Sequence, residues 1–68
     1  MEQINPKSWR AKVMDQMQKT DLSIAQVARR AGYEPGSVYL VLGGRAEPSL
    51  KMMIRIDEVL NKELGQND

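Results

Sequence analysis

Pro35, Gly36, Ser37, Tyr39 and Leu40, with Arg45 and Lys51 downstream, hold most of the chemistry this chain can offer. Its 68 residues include no cysteine and no histidine, so disulfides are impossible and zinc has no soft ligand. The thiol nucleophile and the imidazole base are missing as well, so no catalytic residue, metal, cofactor or small-molecule substrate is assigned and an enzyme is not expected. What remains is recognition chemistry. Ser37 and Tyr39 can donate or accept hydrogen bonds, Pro35 and Leu40 present apolar surface, and Gly36 lets the backbone itself approach a ligand. The amides at the start of the helix that Pro35 opens also carry the positive end of its dipole, an intrinsic anion site.

The net charge of +1 conceals an uneven distribution. Residues 1–55 hold nine Lys or Arg against five Asp or Glu, whereas residues 56–68 hold Lys62 alone against Asp57, Glu58, Glu63 and Asp68. An acidic partner would meet the basic body and be repelled by the tail. No apolar run reaches the length of a signal core or a membrane span, so a cytoplasmic protein with no membrane partner is expected.

The elements that must position these groups read as helices throughout. Asn5 followed by Pro6 predicts a helix over about 6–19, with Trp9, Val13 and Met17 as its apolar stripe beside Met14. Trp9 could stack on a nucleic-acid base, but a lone aromatic inside a helical stripe is far more often core, and it is assigned there. Ser23 and Gln26 form a capping box for a helix over 24–31, whose inner face is Ile24, Val27, Ala28 and Ala31 and whose stop is Gly32. Pro35 opens a third helix over 35–42 with Val38, Val41 and Leu42 inside; Gly43 and Gly44 end it.

Ser49 caps a fourth helix over 50–64, with Gly65 as its exit and residues 65–68 expected to fray. Leu50, Met53, Ile56, Leu60 and Leu64 predict its core stripe, with Met52 and Val59 to one side and Ile54 to the other. That arc is wider than a domain of this size buries, and such a chain hides only about 60% of its unfolded surface. Met52 and Val59 are therefore assigned to a homodimer interface, against the alternative that they are isolated exposed apolar residues.

Together the LS start at Leu22, VA then AG in the second helix, the inner Val38 and Leu42, and PSLKMMIRIDEVL from Pro48 resemble the Cro/C1 (XRE) type helix-turn-helix family of phage repressors. Trp9, Arg10 and the GYEP turn from Gly32 add a partial similarity to Ner-type phage regulators. The resemblance implies an all-α, lambda-repressor-like helix-turn-helix domain of four to five helices, with the third helix in the major groove and a homodimer on a palindromic operator. It places Pro35, Gly36, Ser37, Tyr39 and Leu40 at the bases. It places amides at Ser23 and Ile24, the loop Gly43, Gly44 and Arg45, and Ser49 with Lys51 at the phosphates.

None of those five base-facing residues is a bidentate reader of guanine or adenine, so methyl contacts, DNA shape and dimer spacing are expected to carry much of the specificity. Arg29 and Arg30 are explained by the dipole at the end of the second helix without DNA. Where the family often pairs Arg with Glu, the matching positions here are Met17 and Leu42. Asp57 stands where the family favours a small apolar residue and needs solvent or a cation, with Arg10 a candidate. The implied function is a double-stranded DNA-binding transcriptional regulator, a phage-type repressor. A helix-turn-helix antitoxin and a protein-interaction module without DNA recognition remain open alternatives.

Overall fold

Asn5 begins the first helix by accepting the amides of Lys7 at 2.9 Å and Ser8 at 3.4 Å on its side-chain oxygen, while Pro6 occupies a position where a missing N–H costs nothing. The computed structural model describes residues 5–65, and among them lie four helices and no strand: α1 (Pro6–Gln18), α2 (Ile24–Ala31), α3 (Pro35–Leu42) and α4 (Leu50–Glu63). The expected fraying beyond Gly65 falls outside the described residues.

Local signals set most boundaries. The Ser23–Gln26 capping box is complete: the Gln26 amide donates to Ser23 Oγ at 3.1 Å and the Ser23 amide to Gln26 Oε1 at 2.8 Å. Gly32 ends α2 in the left-handed region, φ +88°, which lets Tyr33 donate back to the Ala28 carbonyl at 2.8 Å. A Cβ there would also lie 3.1 Å from Arg55 Nη1, a contact the flexible guanidinium can relieve, so it is the positive φ that requires glycine. Ser49 Oγ accepts the Met52 amide at 3.0 Å and starts α4.

The helices bury one small core. α2 packs on α3 and α4, and α1 packs on α4. Trp9, Val13, Leu22, Val27, Ala28, Ala31, Val38, Val41, Met52, Met53, Ile56 and Leu60 are buried, and among the described residues no polar or charged one is. Met17, Ile24, Leu42 and Val59 pack partly against them. Met14 stays 41% exposed.

On α4 the buried stripe is rotated from the expected one. Met52 is 8% exposed and belongs to the core of its own chain, whereas Leu50, expected in the core, is 55% exposed. Neighbouring helices decide this: the end of α2 meets the Val59 flank, with Arg55 donating to the Ala31 carbonyl at 3.4 Å and Arg30 pairing with Glu63 at 3.0 Å, and an open groove lined by Val59 lies between them. The opposite flank meets α1 at Asp57, and nothing among the described residues reaches past it to Leu50 and Ile54. Met52 therefore does not belong to the surplus apolar surface assigned to a dimer, Val59 stays half-buried beside an open groove, and Leu50 and Ile54 are the more exposed apolar residues of this helix.

Asp57 also finds a partner other than the expected Arg10. It accepts the Trp9 indole N–H at 3.0 Å and faces Lys12 at 3.5 Å. A carboxylate thus holds the one polar atom of an otherwise buried indole.

Candidate functional site

Eight residues of α3 divide cleanly by face. Val38 and Val41 point into the core, whereas Gly36, Ser37, Tyr39 and Leu40 are exposed, Tyr39 by 54% and Leu40 by 49%. Gly36, Ser37 and Leu40 lie within one turn of one another on the outer surface, and Tyr39 stands at their side. Pro35 is half-buried at the helix start. Nothing lies within 4 Å of where a Gly36 Cβ would sit, so its backbone is open to a ligand.

The helix start is a weaker anion site than its sequence implies. Pro35 has no N–H, the Ser37 amide already donates to the Glu34 carbonyl at 3.1 Å, and Glu34 at the N-cap brings an exposed carboxylate without capping by its side chain. Gly36 supplies the amide left over at that end.

Beyond α3 the loop folds back on the helix it leaves. The Gly43 amide donates to the Tyr39 carbonyl at 2.9 Å, Gly44 to Val41 at 3.1 Å, and Arg45 to Leu40 at 2.9 Å. These three amides, expected to face phosphates, are consumed inside the fold, as is that of Ser23 in its capping box. The Arg45 backbone is thereby tied to the Leu40 carbonyl at the end of α3, and its side chain is exposed. Ser23 and Ser49 each accept a cap bond at Oγ, leaving the hydroxyl hydrogen free to donate. Ile24 opens α2, where its amide has no intrahelical acceptor, and Lys51 is exposed in the first turn of α4.

Comparison with protein-family models, curated proteins and solved structures finds no match. The site's own geometry therefore carries the functional argument. No helix is long and apolar enough to cross a membrane, and no group of three or more Cys, His, Asp or Glu could hold a metal, both among the described residues.

Arg10 is the functional residue that sequence reasoning placed wrongly. Its Nε donates to the Val41 carbonyl at 2.7 Å and its Nη2 to the Ala46 carbonyl at 3.3 Å, with Glu47 at 4.0 Å. One planar guanidinium thus ties α1 to the end of α3 and to the loop that carries Arg45. A signal was present: seven residues before Met17, Arg10 falls on the apolar arc of α1, where a cation must find acceptors.

Arg10→Met keeps the apolar stem and removes the donors. It should cost about 1.5–3 kcal/mol, the range for hydrogen bonds from a charged group. Amide exchange at Gly44 and Arg45 should quicken before the rest of the domain opens. Uniform quickening across all four helices would instead mean that Arg10 supports the whole fold and not the loop.

Proposed function

We propose that this chain is a sequence-specific, double-stranded DNA-binding transcriptional regulator, a cytoplasmic repressor of phage type that occupies its operator as a homodimer. α2, the Gly32 turn and α3 act as the helix-turn-helix, and the protein is not an enzyme. The observation that carries this reading is the outer face of α3: Gly36, Ser37, Tyr39 and Leu40 stand free of the core while Val38 and Val41 anchor the helix, and the exposed Arg45 follows in the loop whose backbone is bonded to the helix end.

In this reading α3 enters the major groove. Leu40 and Pro35 meet thymine methyl groups, Ser37 and Tyr39 bond base edges or phosphates, and Gly36 brings backbone close. Phosphates are met by Arg45, the hydroxyls of Ser23 and Ser49, and the Ile24 amide. The amides of Gly43 and Gly44 play no part, because they hold the loop in place. With no bidentate side chain on α3, sequence is read largely through methyl contacts, DNA shape and the spacing of two half-sites about 34 Å apart. Binding sites selected from a random pool should show thymine preferences at contacted positions; sharp guanine preferences at several of them would count against this mode of reading.

Arg45→Ala should weaken binding to selected and random duplexes alike and lower the slope of log affinity against log salt by about one. Titrations of wild type and variant at several salt concentrations measure both quantities. A variant with altered sequence preference and an unchanged slope would remove Arg45 from the phosphates. The exposed apolar pair Tyr39 and Leu40 also suits a protein partner, and absence of DNA binding even at low salt would favour that reading.

A further inference from the structure

We infer that a second copy of this chain docks on the solvent face of α4, antiparallel and centred near Ile54, with Lys51 of each copy paired to Glu58 of the other. This rests on the homodimeric reading above and gives it a surface. Leu50 and Ile54 are 55% and 49% exposed, one turn apart, and share a shallow groove with Lys51, Arg55 and Glu58. Other helices cover only the flanks of α4: α1 meets it at Asp57, and the end of α2 meets it at Arg55 and Glu63.

Charge along this face identifies the occupant. On this face Lys51 and Arg55 lie in the first half of α4 and Glu58 in the second, with Lys62 following in the last turn, while Glu63 is turned to Arg30 on the α2 flank. Neither Lys51 nor Glu58 makes an ion pair among the described residues. They are seven residues apart, so they share a face about 10 Å apart along the axis. A two-fold axis between them, beside Ile54, brings Lys51 of each copy onto Glu58 of its partner at once, and parallel pairing would set like charges together. Such self-complementarity is the property a closed, isologous interface requires. Lys51 then serves the partner instead of a phosphate, and Arg45 remains the loop cation for DNA.

The test is sedimentation equilibrium without DNA, on wild type, Ile54→Asp, Lys51→Glu, Glu58→Lys and the doubly reversed chain, with circular dichroism confirming equal helix content. Wild type should self-associate, and Ile54→Asp and each single reversal should weaken association by about tenfold or more. The double reversal restores opposite charges across the axis and should return association to within about threefold of wild type. A wild type that stays monomeric, an Ile54→Asp chain that dimerises normally, or a double reversal no better than the singles would overturn the inference. The functional reading fails separately: dimers that ignore every duplex would sink DNA binding and leave this surface standing, whereas monomers that occupy operator DNA independently would sink this surface and leave DNA binding standing.

Discussion

Ile56→Ala lowers the free energy of unfolding by about 2–5 kcal/mol, the range for emptying a fully packed site of three carbons. Ile56 is completely buried in the middle of α4, the helix on which both α1 and α2 pack. Its neighbours along the stripe, Met52, Met53 and Leu60, are held by helices on both sides, so collapse into the vacancy is restricted. The consequence is larger here than in a bigger domain. A chain this short buries a modest core, and native domains in general keep only about 5–15 kcal/mol in reserve. At the upper end of the range the variant is largely unfolded at 25 °C. Urea unfolding followed by circular dichroism measures the loss, with Met14→Ala, on the exposed side of α1, expected within about 0.5 kcal/mol of wild type. A loss below about 1 kcal/mol at an unchanged slope would mean the core relaxes freely and that this helix does not hold α1 and α2 in place.

What could be read in the sequence follows the range of the interaction that decides each feature. Asn5, Ser23 and Ser49 act on amides two or three residues away, and Gly32 acts through its own φ, so all four helices appear within a residue of where the sequence predicts them. The outer face of α3 was legible for the same reason, since helical periodicity separates Val38 and Val41 from Ser37 and Leu40 without reference to the rest of the fold.

The face of α4 was not legible. Met53, Ile56 and Leu60 are common to two stripes, one reaching Leu50 and one reaching Met52, and only the position of α2 chooses between them. The loop after α3 is different: Gly43 and Gly44 mark the stop, and the amides of Gly43, Gly44 and Arg45 return three to five residues to Tyr39, Val41 and Leu40 as a local C-terminal cap with Gly44 at φ +81°, which is why they are not free for phosphates. Arg10 and Asp57 exchanged expectations because both partners lie more than 30 residues away along the chain.

Trp9→Ala should cost about 3–5 kcal/mol, as large as any single truncation in this fold. Two losses combine at this position. The indole is 6% exposed and fills the contact between α1 and α4, and its N–H holds the Asp57 carboxylate at 3.0 Å. Trp9→Phe separates them, because the phenyl ring keeps much of the packing and removes the donor. Asp57 retains Lys12 at 3.5 Å and its side chain is 27% exposed, so water can replace part of the missing bond. The Phe variant should accordingly lose about 1–2 kcal/mol, well short of the Ala variant. Trp9 is the sole tryptophan, so unfolding must be followed by circular dichroism and not by fluorescence.

Asp57→Ala completes a double-mutant cycle with Trp9→Phe. If the indole–carboxylate bond acts as one unit, the two substitutions together cost less than the sum of the singles, since whichever comes first removes the interaction. Strict additivity would show that Trp9 stabilises the α1–α4 contact by packing alone. Asp57 would then be held there by Lys12, and its departure from an apolar side chain at that position would owe nothing to tryptophan.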